Sequence, residues 1–397
     1  MKKQFSRLFA AALLLCAAPF SSALASDDAD LLTRVEKLEA ASAIHVGGAV
    51  RVNYGLTDWS ESSKDKSGDF AFDLFRLNVD GTQGDITLSA EYRFYPEYNF
   101  NALHHAYLAY DFSETLQGQV GVHQVPFGIQ PYASHNFWFS GAYYVGLEDD
   151  YDMGIKLLYD AKPWHATLAF YKNGELGAPS VANRYSVDVN SAATGGFAGA
   201  QAAGNEETNQ VNGRLAYTLD HGDLGSTELG VSLEAGKLYN SNTAKNEDRV
   251  AGALHLVGDY GPFNVQLEYA SYSYNVANPP GFDDQVVTVG AYGSSWGIPT
   301  EADIATFNVA YTRPVTWGPI ESVTLYSDNT VITPKEGRFD NVSQNVVGAL
   351  FAAGPVYTYV DIISGEDMIF MGGDMVGATD ASSGRNTRLN VNIGYYF

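Results

Sequence analysis

The chain has 397 residues, with 23 Lys+Arg against 46 Asp+Glu, a formal charge of −23, 45% hydrophobic residues and 13% aromatic residues. That charge excludes a general nucleic-acid binder, which needs a basic footprint to displace counterions from phosphates. The apolar content excludes intrinsic disorder, and a single cysteine, Cys16, excludes an intrachain disulfide or a cysteine-ligated metal.

Residues 1–25 read as a cleavable signal peptide. Lys2, Lys3 and Arg7 form its charged end, residues 8–18 its apolar centre, and Ala23-Leu24-Ala25 a small-residue cleavage site. The apolar run is too short to span a bilayer. Residues 26–43 predict a short helix, with Leu31, Val35 and Leu38 at coiled-coil spacing and Asp27, Asp28 and Asp30 where the helix dipole favours acids. Two readings stay open there: a small association stalk, or a helix lying against the rest of the molecule.

From residue 44 to residue 397 the period is two. Ile44, Val46, Val50, Val52 and Tyr54 share one face, opposite His45, Arg51 and Asn53; the same alternation recurs at Ile86 to Phe94, Trp164 to Phe170, Phe263 to Tyr269 and Val391 to Phe397. These segments are longer than most globular strands and match a tilted membrane crossing. Aromatic residues sit at the ends of the apolar stripes, among them Tyr54, Phe94/Tyr95, Phe112, Tyr159, Trp164 and Tyr395, as interface girdles require.

Short turns fall at 80–84, 112–115, 161–163, 219–226, 258–262, 314–319 and 354–355. They alternate with longer connections at 55–69, 95–101, 125–150, 174–208, 240–247, 275–302, 331–340 and 365–385. This alternation predicts an all-β fold: a 16-stranded antiparallel transmembrane β-barrel filling 44–397. The run Gln285 to Tyr292 is also strand-like; placing it within the sixth outer loop keeps sixteen, while eighteen strands remain open. Sixteen strands enclose more space than side chains fill, so water is expected inside, and with it a path for small hydrophilic solutes or ions.

The third long connection carries Pro126, Phe127, Gly128, Tyr132, His135, Phe137 and Trp138. It is too apolar for a solvated loop, so it is expected to fold inward and narrow the pore; packing on a neighbouring subunit or capping the barrel is the alternative. Alternation turns Arg51, Arg76, Glu91, Arg93, Lys156, Arg214, Glu234, Glu268 and Arg388 toward the lumen. Single inward histidines, His123 and His255 among them, are expected to be solvated there. A mixed wall below acidic outer loops predicts weak cation preference or poor selectivity.

The stretch Gly121-Val122-His123-Gln124-Val125-Pro126-Phe127-Gly128 resembles the G-x-x-x-x-P-F-G segment of the phosphate-selective porin O and P family of outer-membrane channels. The post-leader helix and the terminal Phe397, of the kind the outer-membrane assembly machinery reads, are also similar to that group. The resemblance implies a Gram-negative outer-membrane channel, usually a homotrimer in contact with outer-membrane lipid, whose third loop enters the pore. The family's anion-selective members line the path with many basic residues; 23 basic against 46 acidic residues is the opposite balance, so phosphate selectivity is not carried over.

Other chemistry finds little support. His104 and His105 are adjacent, so on a strand they point to opposite faces and cannot chelate together. No glycine-rich loop leads into a helix, and no local signature unites a nucleophile with a base. No cofactor, metal site or catalytic residue is expected, and the chain is read as a non-enzymatic diffusion channel. A substrate-specific channel for an oxyanion or a sugar is the first alternative, a barrel enzyme or a purely structural barrel the others.

Overall fold

The computed structural model describes residues 44–177, 182–195, 197, 199–375 and 384–397. The signal peptide at 1–25 and the helix at 26–43 lie outside the described residues.

Nineteen strands occur among the described residues: β1 (Ile44–Thr57), β2 (Asp69–Gln83), β3 (Ile86–Tyr95), β4 (Phe100–Ser113), β5 (Leu116–Gln124), β6 (Tyr151–Ala161) and β7 (Trp164–Gly174), then β8 (Asp188–Val189), β9 (Asn205–Asp220), β10 (Ser226–Asn240), β11 (Lys245–Tyr260), β12 (Phe263–Tyr274), β13 (Val286–Ala291) and β14 (Ser294–Pro299), and last β15 (Glu301–Trp317), β16 (Ile320–Pro334), β17 (Val342–Ala353), β18 (Val356–Glu366) and β19 (Arg385–Tyr396). Sixteen of them close into one antiparallel barrel, each strand beside its sequence neighbour, and β1 seals against β19 with Val52 opposite Ile393. Closure pairs every wall strand on both sides and leaves no open edge.

The alternation read in the sequence is the inside–outside alternation of the wall. Leu233 and Leu254 are 66% and 61% exposed, and Leu168, Leu325 and Val347 share that outer face. An apolar outer belt of this extent suits hydrocarbon and would be costly in water. Tyr110, Phe112, Tyr159, Trp164 and Tyr395 are exposed near strand ends. Tyr95 departs from the expected girdle: it is buried on the inside, stacked on Phe100.

The count of sixteen holds because the extra strand-like run leaves the wall. Residues 286–291 form β13, which turns back into β14 and also pairs with β8, making a separate three-stranded sheet within the fourth and sixth long connections. Its residues are almost all buried. One apolar cluster unites this sheet's Val189, Val289, Trp296 and Ile298 with Tyr143, Tyr144 and Val145 of the third connection and with Met368, Ile369 and Met371 of the last. The expectation that water alone fills the barrel is therefore corrected: inserted connections build a packed core across part of the interior, because a buried sheet and aromatic loop bury more apolar surface than an empty lumen allows.

Candidate functional site

The third connection, 125–150, lies inside the barrel and is hydrogen-bonded to the far wall. Val125 N–H donates to the Asp150 carbonyl at 2.9 Å and closes its base. Gly128 lies nearest the β9–β12 wall: its N–H donates to Ser232 Oγ at 3.0 Å and its carbonyl accepts from Arg214 Nε at 2.9 Å. Gly128 has φ +57°, and a Cβ there would collide with the Glu268 carboxylate, so only glycine fits. Ile129 N–H donates to Glu268 Oε2 at 2.7 Å, and Asn308 Nδ2 donates to the Ala133 carbonyl at 2.7 Å.

Asp328 of β16 is the densest anchor. It accepts from His135 N–H at 2.7 Å, His135 Nδ1 at 2.7 Å, Asn136 N–H at 2.9 Å and Asn136 Nδ2 at 2.7 Å. The other His135 nitrogen faces Asn264 Oδ1 at 2.7 Å. Burial works against the charged ring, but Asp328 and Asn264 together raise the His135 pKa above its ordinary value. Gln344 Nε2 holds the Phe139 carbonyl at 2.9 Å. Near the end of the loop Glu148 takes N–H donors from Ala133 and Ser140 and the Ser140 hydroxyl, and burial pushes its carboxyl up to about 8.

What the loop leaves open is a cavity of about 330 Å³ between itself and the wall formed by β1 to β4 and β19. Arg51, Arg76, Arg93 and Arg388 line its wall side, and Tyr132, Phe137 and Trp138 its loop side. All four guanidiniums lie over rings: Arg51 over Phe137 at 4.8 Å, Arg76 over Tyr396 at 5.3 Å, Arg93 over Tyr185 at 4.4 Å and Arg388 over Trp138 at 4.6 Å. Cation–π contacts of this kind hold the side chains extended along an aromatic surface. Arg51 Nε pairs with Asp73 Oδ2 at 2.8 Å, and Arg76 and Arg93 share Glu91, Arg76 at 3.6 Å. Among the described residues Arg388 makes no ion pair of this kind.

The residues read from the sequence thus divide into three groups. Arg51, Arg76, Arg93, Arg388, Tyr132, Phe137 and Trp138 meet at the cavity, with Glu91 behind the arginines. Gly128 and His135 instead tie the loop to the opposite wall, Phe127 belongs to the apolar cluster, and Pro126 is buried beside it. Lys156, Arg214, Glu234 and Glu268 point inward but lie under the loop, not along the cavity: Lys156 Nζ donates to the Gln124 carbonyl at 2.9 Å, and Glu234 accepts from Arg249 at 2.6 Å and Asn212 at 3.0 Å. Asp73, Asn308, Asp328 and Gln344 were not singled out by sequence; each is an inward polar position in an alternating strand, which was the available signal.

Two histidine expectations are corrected. His123 and His255 are buried rather than solvated: His123 Nδ1 meets the Tyr171 hydroxyl at 3.1 Å, and His255 Nε2 meets Glu228 at 3.1 Å. His104 and His105 both turn inward, their Nδ1 atoms 2.8 Å apart. The cause is a β-bulge: pairing passes from Glu91 opposite His105 to Tyr92 opposite Leu103, leaving His104 as the extra residue.

The architecture so defined is a closed sixteen-stranded antiparallel barrel with an apolar outside and an inserted loop beside an arginine- and aromatic-lined cavity. Solved structures share it. The outer-membrane channel DcaP of Acinetobacter baumannii superposes with a TM-score of 0.58 at 12% identity, over 90% of this chain and 98% of that one. OmpF of Salmonella typhi, solved with daunomycin, gives 0.57 at 12% identity over 89% and 97%. An anion-selective porin from Comamonas acidovorans gives 0.55 at 12% identity over 90% and 100%. At these identities the likeness is one of fold. No protein-family model matches the chain, and no curated protein matches it.

Proposed function

We propose that the chain is a porin of the Gram-negative outer membrane, passing small hydrophilic solutes and ions by diffusion and doing no chemistry on them. The observation that carries this reading is the cavity between the third loop and the β1–β4/β19 wall, polar and charged on one side, inside a barrel whose outer face is apolar. Tyr132, Phe137 and Trp138 form the narrow side of the path and the four arginines the other. The packed connections leave only part of the cross-section open, so the channel is narrow for its strand number. Export by the leader, recognition of Phe397 by the assembly machinery and association as a homotrimer belong to the same reading. The trimer is supported by the same fold in OmpT of Vibrio cholerae, solved in a trimer form. Purified protein in planar lipid bilayers is expected to give discrete conductance steps; complete silence would leave a structural barrel, and turnover of lipid or peptide substrates a barrel enzyme.

Selectivity follows from pairing. Arg51 is matched by Asp73, Arg76 and Arg93 share Glu91, and Glu97 and Asp149 also line the cavity, so four arginines meet four carboxylates and the wall discriminates poorly between small ions. The second reading, a channel specific for an anion, is favoured by Arg388 alone, which faces the cavity without an ion pair among the described residues. A reversal potential near zero in a salt gradient supports the first; strong anion preference that Arg388→Ala abolishes supports the second.

A further inference from the structure

A second group of charges lies away from the cavity, where the third loop ends and β8 approaches β6 and β7. Asp150, Asp152 and Asp188 each bring one carboxylate oxygen to a common point, the three atoms within 4.8 Å of one another. All three side chains are more than nine-tenths buried. Glu175, Glu207 and Glu234 face them at close range. Two guanidiniums enter the group: Arg184 pairs with Glu175 and Asp188, and Arg249 with Glu207 and Glu234.

Six carboxylates, five buried and Glu207 nearly so, against two arginines is an imbalance a folded interior does not tolerate as bare charge, since each uncompensated ion costs several kcal/mol to desolvate. Hydrogen bonding does not resolve it: among the described residues Asp150 Oδ1 and Asp152 Oδ1 accept from no donor, though Asp152 is only 1% exposed. The backbone also makes room. Gly174 closes β7 beside the group, and a Cβ there would run into Asp188 Oδ2 and the Arg184 guanidinium.

We infer that Asp150, Asp152 and Asp188 form a binding site for a hard divalent cation of the calcium class. The donor set is all oxygen, as such ions require, and oxygens up to about 4.8 Å apart suit calcium, whose bonds of about 2.4 Å place opposite ligands at that separation. The ion lowers the repulsion among the six carboxylates and joins three pieces of chain: the end of the third loop through Asp150, the wall through Asp152, and β8 of the fourth connection through Asp188. It therefore ties the inner sheet to the barrel. The site is independent of whether the barrel conducts.

The test uses the full folded protein in detergent, stripped with EDTA and titrated with Ca²⁺ by calorimetry, with Tb³⁺ luminescence as a second probe. Wild type is expected to take one Ca²⁺ per chain with a Kd of about 1 mM or tighter. The same ion is expected to protect residues 182–195, around Asp188, from protease. Asp150→Asn with Asp152→Asn is expected to lose both effects while keeping the heat-dependent gel shift of a folded barrel; Gly174→Ala, which leaves every carboxylate in place, is expected to weaken binding by crowding Asp188. The pair Glu247→Gln with Asp248→Asn, half-buried and exposed respectively, serves as the control and is expected to bind as wild type does. Absence of saturable binding in the wild type overturns the site, as does binding that survives the double aspartate variant; binding lost only in the Glu247/Asp248 control would move it to the surface.

Discussion

Asp328 is one side chain on one strand, yet it receives two backbone and two side-chain donors from the third loop. Hydrogen bonds to an ionised acceptor are worth about 1.5–3 kcal/mol each, so Asp328→Ala is expected to weaken loop docking by about 2–3 kcal/mol once the freed amides rehydrate. The readouts are faster proteolysis within 125–150 and larger, noisier channel currents; unchanged currents and cleavage would contradict the anchoring role. Two titrating groups in the same loop act in one direction. His135 has a raised pKa, so its contribution is full below about 6.5 and is lost as pH climbs through the raised value. Glu148, shifted up to about 8, binds a proton in the folded loop that the unfolded loop has lost, so it too loses stability between about 4.5 and 8. Raising the pH from 6 to 9 is therefore expected to loosen the loop, and Glu148→Gln to remove part of that response in conductance measured against pH. None of these long-range partners was visible in the sequence, because nothing local in His135 or Asn136 signals a carboxylate 193 and 192 residues away. What was legible was their setting: an aromatic, apolar connection unsuited to solvent.

At the scale of elements, alternation made the wall legible. Turns such as 161–163 between β6 and β7, and 354–355 between β17 and β18, fall where Pro and Gly mark them. A period-two pattern reports which face a residue takes, since one face meets an apolar surround. It does not report bulges: whether His104 continues the alternation depends on the strand opposite, and β3 pairs so as to push it out of step. Nor does it separate an inward charge beside water from one under a loop, which is why Arg214 and Glu268 were grouped with Arg51. The inner sheet shows the same limit, for β13 reads as a wall strand and is recognised as an insert only by counting turns. Trp296 of β14 is fully buried and donates from Nε1 to the Tyr144 carbonyl at 2.9 Å. Trp296→Ala is expected to cost about 3–5 kcal/mol of local packing. That loss is expected as faster amide exchange in 143–145 and 286–299 with exchange of the wall strands unchanged; uniform acceleration throughout would mean that insert and wall unfold together.

At the scale of the whole molecule, one closed sheet performs two tasks: its outer face is apolar, and its inner face is polar enough to hold inserted segments. The formal charge of −23 describes neither face, since the cavity is bordered by four arginines. This is why composition alone pointed toward cations while the local wall is close to balanced. Replacing Tyr132, Phe137 and Trp138 together by Ala is expected to raise single-channel conductance and admit larger uncharged solutes in liposome swelling; an unchanged size cut-off would place the narrowest point elsewhere.

The third loop bonds at once to β9, β10, β12, β15, β16 and β17, through Arg214, Ser232, Glu268, Asn308, Asp328 and Gln344. A hoop with a strut fixed across its diameter resists being squeezed into an ellipse. Changes in lateral pressure from the surrounding lipid would therefore be carried by the strut, and the aperture beside it would keep its width.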